Sequence, residues 1–249
     1  MTRRIRNTYF QCREFRIEQN RCAMKVTTDA CLLGAWVPVE QAKQILDIGT
    51  GSGLLALFAA QRSQAMIDAV EIEPEAAQQA TDNFAASPWP DRLCVIQVDI
   101  RDHADLNVAG YDLILCNPPF FSDSTHNPCQ RLATARHNSA LPLTDLLQAT
   151  SRLLQQDGSA WFLLPVPEAQ QMAEAATAHD LHPTYRLWVR NSPSDQPHRQ
   201  LLQLTKNQSY KQPQKQQPAS ESYFTLYNPH PFHTPEAAKL FSPYYINVR

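Results

Sequence analysis

Asn117-Pro118-Pro119-Phe120 sets a primary amide, two rigid residues and a flat ring in immediate succession. That combination suits chemistry on a nitrogen conjugated to a π-system. Such a nitrogen is a poor nucleophile because its lone pair is delocalised. Two acceptors on its two N–H groups hold it and favour pyramidalisation. The Asn117 side-chain oxygen is one acceptor and the Pro118 carbonyl the other, with the prolines fixing the turn. If the electrophile is a sulfonium-activated methyl, no strong base is needed, since the proton can leave after transfer. Catalysis then consists of positioning and of dipoles aimed at developing positive charge. Phe120 offers a face for a planar target, flanked by Pro119 and Phe121 on the substrate side. Stacking a base on an aromatic contributes about 1–3 kcal/mol. Extruding one costs about as much, and least from an open loop, so a loop target is favoured over a duplex.

A second constellation would hold the donor. Three of the six glycines fall in Asp47-Ile48-Gly49-Thr50-Gly51-Ser52-Gly53. Alternating glycines let the backbone turn sharply and approach a ligand closely, and a helix begins directly afterwards, offering its free N–H groups. The order is G-x-G-x-G behind a carboxylate. A dinucleotide fingerprint is G-x-G-x-x-G, whose last position is Leu54 here. Asp47 therefore suits a zwitterionic, positively charged cofactor better than a pyrophosphate. Glu71, ending the next strand-like run, can accept from both hydroxyls of a ribose, at about 1.5–3 kcal/mol per bond to a charged acceptor. Asp99, ending a third run, can accept from an adenine amino group. The adjoining Ile72 and Ile100 complete the expected cofactor-binding set with Asp47, Gly49, Gly51, Gly53, Glu71 and Asp99.

These residues need elements to position them. Apolar runs at Ile45–Gly49, Met66–Ile72, Leu93–Val98, Tyr111–Cys116 and Trp161–Leu164 predict strands. Helical spacing predicts helices over Ser52–Arg62, from Glu73-Pro74-Glu75 toward Phe84, and over Pro142–Gln156, with Asp157-Gly158 as the stop of the last. Repeated β-α units predict a parallel sheet covered on both faces. In such a sheet the glycine loop and the Asn-Pro-Pro-Phe turn share the crevice beyond the strand carboxyl ends. Tyr185–Arg190 and Arg199–Thr205, joined by a turn-rich linker, predict two antiparallel strands. Gln208–Ser220 is low-complexity and predicts a mobile loop. Pro235–Phe241 predicts a short helix. The expected division is a basic N-terminal extension and cap over the cofactor site (1–42), a cofactor-binding catalytic domain (43–206) and a Gln-rich loop with a C-terminal tail (207–249).

Composition sets the bounds. At 249 residues, 43% hydrophobic and 18% charged, the chain can bury one sizeable core as a globular protein. The net charge of −2 is unevenly spread. Met1–Lys25 carries seven basic and two acidic residues, Val26–His182 seven and nineteen, and Pro183–Arg249 eight and three. Basic ends around an acidic middle can bring two positive arms to a polyanion. Lys25, and Arg131 and Arg136 after the Asn-Pro-Pro-Phe turn, are candidates for phosphate contact. The six cysteines include no C-x-x-C pair and no apolar leader follows Arg3, Arg4 and Arg6, so free thiols in a reducing cytoplasm are expected. No apolar run is long enough to span a bilayer. His230 and His233 have H-x-x-H spacing, but Pro231 and Phe232 between them argue against a helical metal site, and no metal is expected.

With these residues in view, the chain resembles the bacterial tRNA(Val) (adenine-N6)-methyltransferase family. The resemblance rests on Met24-Lys25-Val26-Thr27-Thr28-Asp29 with Leu32-Leu33-Gly34-Ala35-Trp36, on Ile45 to Gly53, Val70 to Pro74 and Asn117 to Phe121, and on Arg131 to His137. It implies a class I, Rossmann-like methyltransferase fold: a seven-stranded, mostly parallel sheet flanked by helices, the last strand antiparallel. It implies S-adenosylmethionine as donor and tRNA as partner. The chain is expected to act as a monomer. Asp47, Gly49, Gly51, Glu71 and Asp99 match the family's cofactor positions, Asn117 and Pro118 its amine-binding pair, and Phe120 its stacking ring. Thr27 departs from the family, which has Gly there, and His230-Pro231-Phe232 replaces a glycine turn. Two other readings share some of these features. One is methylation of a different planar nitrogen: an rRNA base, a DNA adenine or a glutamine amide. The other is a non-catalytic RNA-binding module that retains the fold.

Overall fold

The computed structural model describes residues 7–118, 141–206, 219–228 and 230–247. A small antiparallel hairpin, β1 (Tyr9–Gln11) with β2 (Arg16–Glu18), precedes α1 (Thr28–Trp36). The β-α alternation follows: β3 (Gln44–Ile48), α2 (Leu54–Arg62), β4 (Met66–Glu71), α3 (Pro74–Ala85), β5 (Leu93–Gln97), α4 (Ile100–Leu106) and β6 (Tyr111–Cys116). Beyond come α5 (Leu143–Leu153), β7 (Leu154–Pro165), α6 (Val166–Ala176), β8 (His182–Arg190), β9 (Arg199–Thr205), β10 (Ser220–Thr225) and α7 (Pro235–Phe241).

The main sheet has the order β10-β8-β9-β7-β6-β3-β4-β5. Neighbours are parallel except for the two pairs that β9 makes with β7 and β8. The expected mostly parallel sheet is therefore present, and its seventh strand, β9, runs antiparallel. An eighth strand, β10, extends it at the β8 edge, where the sequence reading has a Gln-rich loop and a tail.

Period-2 alternation along each strand feeds two cores. Ile45, Leu113, Leu115, Leu163, Leu187 and Phe224 face the layer formed by the hairpin, α1, α2, α3 and α7. Leu46, Ile48, Ile114, Phe162, Leu202 and Leu204 face α4, α5 and α6. The C-terminal residues are part of the first core. Phe224, Leu226, Phe241 and Tyr244 are buried, and the Tyr244 ring stacks on Phe58 of α2 at 3.9 Å between centroids. The N-terminal hairpin also meets the C-terminal segment, because Arg13 donates from its backbone N–H to the Tyr244 carbonyl (2.8 Å) and from Nε to that of Tyr245 (2.8 Å).

Three helices have no counterpart in the sequence reading. In α1, Ala30 to Ala35 are all buried, so no polar face gives it a helical period. α4 is one polar stretch of seven residues held by its cap, and α6 follows directly on Pro165. The strand β7 starts at once after α5, where Asp157-Gly158 reads as a helix stop. Its pairing to β6 jumps from Tyr111↔Leu154 to Leu113↔Ser159, so Gln155 to Gly158 form a bulge. Gly158 lies in this bulge, where a Cβ would stand 2.7 Å from Leu154 Cδ1 and 3.1 Å from the Asp112 carbonyl oxygen.

Candidate functional site at the carboxyl edge of the sheet

Register alone brings the main candidates together. Ile48 pairs with Cys116 on β6 and with Val70 on β4, and Glu71 pairs with Gln97 on β5. The residues that follow these strands, Gly49, Asn117 and Asp99, thus emerge with Glu71 along one carboxyl edge, in neighbouring positions about 4.8 Å apart per strand.

The glycine loop folds back on β4: Gly49 and Thr50 both donate their backbone N–H to the Val70 carbonyl (2.9 and 3.1 Å). Gly49, Gly51 and Gly53 have φ of +71°, +56° and +86°, the left-handed region that only glycine enters without strain. They differ in surroundings. A Cβ on Gly53 would lie 2.5 Å from Cε1 of Phe84, so this glycine lets α3 approach α2. A Cβ on Gly49 or Gly51 would meet nothing within 4 Å, which leaves that side of the turn open.

The carboxylates occupy three different environments. Asp47 is fully buried. Thr50 Oγ1 donates to its Oδ2 at 2.6 Å and Ala56 N–H at 3.3 Å, while Oδ1 has no partner. Burial dominates these bonds and pushes the Asp47 carboxyl up to about 7, with a contribution from nearby Glu71. Glu71 accepts from Gly51 N–H (2.8 Å) and Glu73 N–H (3.0 Å), one bond per oxygen. It is thereby locked to the glycine turn. Asp99 caps α4 by accepting from Arg101 N–H at 2.9 Å, and the Arg101 guanidinium grips both its oxygens (3.0 and 2.6 Å). The Arg101 bonds hold the Asp99 carboxyl below the usual carboxylate range. An amino group approaching Asp99 must therefore share an engaged acceptor.

Asn117 and Pro118 are half-buried just past β6. The Asn117 side-chain oxygen is shielded from solvent and has no hydrogen-bond partner. A buried acceptor left unpaired costs about 1–3 kcal/mol, and one poised at the carboxyl edge is free to receive an N–H. Pro119, Phe120, Phe121, Arg131 and Arg136 lie outside the described residues. Ile72 is exposed at the β4 end, and Ile100 is buried at the start of α4. Lys25 is exposed and its ammonium donates to the Asn7 carbonyl. His230 and His233 both set their rings against Tyr227, and no cluster of metal-ligating side chains is found among the described residues.

The structure adds residues that the sequence reading does not name. Thr50 and Arg101 hold two of the carboxylates, and their nearness in sequence, three and two positions away, was the available signal. Asn83, buried on α3, ties three pieces together. Its Nδ2 donates to the Ser52 and Glu18 carbonyls (2.8 Å each), and its Oδ1 accepts from Glu18 N–H (2.9 Å). The hairpin is thus pinned to the glycine loop, and nothing local in sequence announces it. Cys22, just past the hairpin, is pushed up to about 11 by burial and by the Glu71 charge. A further cluster joins α1 to β9, where Asp29 stands 3.5 Å from His198 Nε2 and 3.2 Å from Arg199 Nε.

Comparison with known proteins agrees with this architecture. The methyltransferase small domain matches residues 22–175. A protein of Yersinia enterocolitica named tRNA1(Val) (adenine(37)-N6)-methyltransferase is 38% identical over 248 residues, covering 98% of this chain and 94% of its own. Proteins of the same name from Cytophaga hutchinsonii and Bacteroides fragilis are 48% identical (68% of this chain, 72% of theirs) and 42% identical (79% and 84%). Among solved structures, a protein of Agrobacterium tumefaciens described as a predicted O-methyltransferase superposes with a TM-score of 0.63 at 18% identity, over 89% of this chain and 99% of its own. A ribosomal protein L11 methylase of Lactobacillus delbrueckii gives 0.54 at 17% identity, over 77% and 84%. These structural likenesses concern the fold.

Proposed function

The chain belongs to the tRNA1(Val) (adenine(37)-N6)-methyltransferase family, within the methyltransferase small-domain proteins, and on that premise we propose that it methylates the exocyclic N6 of adenine in tRNA, the adenine 3′ to the anticodon of a valine tRNA. The donor is S-adenosylmethionine, which supplies an electrophilic methyl on a sulfonium. The residues fit it. Gly49 and Gly51 leave the inner side of the turn open, Asp47 keeps a buried oxygen unpaired, and Glu71 is fixed beside Gly51 with lone pairs to spare for ribose hydroxyls. Gly53, Ile72, Asp99 and Ile100 complete the cofactor side.

One observation carries the reading: the buried, partnerless oxygen of Asn117 one residue past β6, beside the turn at Gly49. It accepts one N–H of the target amine and the Pro118 carbonyl accepts the other, so the nitrogen lone pair is released from the ring toward the donor side. Phe120 stacks the flipped base, with Pro119 and Phe121 beside it, and Lys25, Arg131 and Arg136 face phosphates. Residues 1–42 cap the cofactor site, an arrangement supported by the Asn83 bonds to Glu18 and Ser52. Residues 43–206 carry the transfer, and 207–249 supply the Gln-rich loop and tail. The protein works in the cytoplasm as a monomer. Among the described residues no helix is long and apolar enough to cross a membrane.

The test is incubation with methyl-labelled S-adenosylmethionine and total tRNA from a strain lacking the protein, followed by nucleoside analysis. Labelled N6-methyladenosine, recovered from a valine tRNA, is the expected product. Label in another nucleoside, or none, overturns the assignment.

A further inference from the structure

The edge of the sheet farthest from the glycine loop carries aromatic and basic side chains on its exposed face. β10 and β8 are parallel, and the pairs Glu221↔Arg186, Tyr223↔Trp188 and Thr225↔Arg190 all point to the face that α6 covers further in. Their neighbours Leu187, Val189 and Phe224 point the other way, into the α1 core. On the outer strand of this edge Tyr223 is 59% exposed. A tyrosine that open gains little from burial in the folded chain.

The side chains are nevertheless ordered against one another. The rings of Trp188 and Tyr223 lie nearly parallel, 22° apart with centroids at 6.4 Å. Arg190 sets its guanidinium carbon 5.8 Å from the Tyr223 centroid. It is oriented by bonds from Nε to Thr225 Oγ1 (2.9 Å) and from Nη1 to the Pro193 carbonyl (3.0 Å). Glu221 accepts from Trp188 Nε1 (3.3 Å) and lies 4.0 Å from Arg186 Nε, which fixes the indole at one end of the row. Two flat rings with a cation at their side, on a rigid sheet and in a C-terminal third of positive net charge, form a platform of the kind that stacks unpaired bases and neutralises the adjoining phosphate.

We infer that the Trp188–Tyr223–Arg190 face is a second RNA-contact surface, which stacks unpaired nucleotides of the substrate away from the reacting base. The inference rests on the tRNA reading above and deepens it. Its placement is suitable. β8 and β10 run parallel to β6, so Arg190 and Thr225 lie at the same edge as Asn117. Four strand spacings, roughly 19 Å at the usual 4.8 Å each, separate β10 from β6, within the breadth of one folded RNA. Substrate held at both places has its reacting base presented in one register, and unpaired nucleotides are what a loop substrate offers.

Tyr223 is exposed, so changing it leaves the core intact. The experiment measures binding of labelled tRNA to the full chain in the presence of S-adenosylhomocysteine, for wild type, Tyr223→Ala and Tyr223→Phe, alongside S-adenosylmethionine binding and methyl transfer. Expected is about a tenfold weaker Kd for tRNA in Tyr223→Ala, within the range for loss of one stacked base, wild-type affinity in Tyr223→Phe, and unchanged cofactor affinity in both. The KM for tRNA rises with Kd while kcat holds. Equal tRNA affinity in Tyr223→Ala and wild type overturns the surface, whatever the methylation result. Normal loss of affinity in Tyr223→Ala with no methylation by wild type keeps the surface and overturns the proposed activity. No tRNA binding by wild type overturns both.

Discussion

At the scale of single residues, Asn117 and Asp47 make opposite demands. Asn117 offers a neutral acceptor that only substrate satisfies, so Asn117→Ala is expected to lower kcat by on the order of a hundredfold or more, as loss of positioning does, while calorimetry finds S-adenosylmethionine affinity unchanged. A parallel loss of cofactor binding would place Asn117 in the wrong half of the site. Asp47 is a titrating group. Its folded value of about 7 lies above the ordinary carboxyl value, so between roughly pH 4 and 7 the folded chain binds more protons than the unfolded one, and stability falls as pH rises through that window. A cationic ligand favours the ionised form. Binding near pH 6 is therefore expected to release a proton, and cofactor affinity to climb toward pH 7. Calorimetry in buffers of different ionisation enthalpy reads that proton directly, and Asp47→Asn should abolish it. Both residues were legible in sequence because each chemistry demands its residue type at a strand end. Arg101 was not, since an arginine two positions past Asp99 means little until its guanidinium is seen on both oxygens.

At the scale of elements, the glycine loop separates into a packing glycine and a ligand glycine. Gly53→Ala forces a Cβ into the Phe84 ring and keeps φ at +86°; strain and overpacking together should cost about 2–4 kcal/mol, read as a lowered Tm. Gly51→Ala carries only the left-handed strain of about 1–2 kcal/mol, yet its methyl enters the open side of the turn, so it should fold and lose most cofactor affinity. A Gly51→Ala chain that binds S-adenosylmethionine normally would move the cofactor off this loop. Asn83→Ala leaves the Ser52 and Glu18 groups unpaired and should cost about 1–3 kcal/mol for each that stays dry, with amide exchange in β1 and β2 speeding up before the rest of the fold. The β-α order and the strand ends were readable because a strand buried on both faces is a short apolar run between turn signals. The hairpin, α1 and the β7 bulge were not. Their sequences are short, uniformly buried or interrupted by Asp157-Gly158, and only the Asn83, α2 and β6 contacts decide their form.

At the scale of the whole molecule, the N-terminal hairpin and the C-terminal segment are structural partners. Composition marks 207–249 as a Gln-rich stretch and a tail, and periodicity cannot reveal what a tail packs against. In the fold, Phe224 meets the Trp36 ring edge-on at 5.5 Å, Phe241 stacks on Tyr245 at 4.8 Å, and Tyr244 closes over Phe58. A buried Phe cut to Ala costs about 3–5 kcal/mol, and a domain of this kind has only about 5–15 kcal/mol in total. A chain ending at Lys206 removes Phe224, Leu226, Phe241 and Tyr244 together. It is expected to unfold without a sharp thermal transition, in contrast to the full chain measured alongside it, even though every proposed cofactor residue remains. Retention of a sharp transition and of S-adenosylmethionine binding by that shortened chain would mean that β10 and α7 are ornament. Because Arg13 binds the Tyr244 and Tyr245 carbonyls, the hairpin of the basic N-terminal segment packs on a C-terminal segment that also carries net positive charge. With basic residues in both segments, tRNA affinity is expected to fall steeply with salt, and charge-reversing Arg16 to Glu on the hairpin should weaken binding and flatten the slope of log Kd against log salt. An unchanged slope would remove the hairpin from the RNA interface and leave the sheet edge at Tyr223 as the basic end that matters.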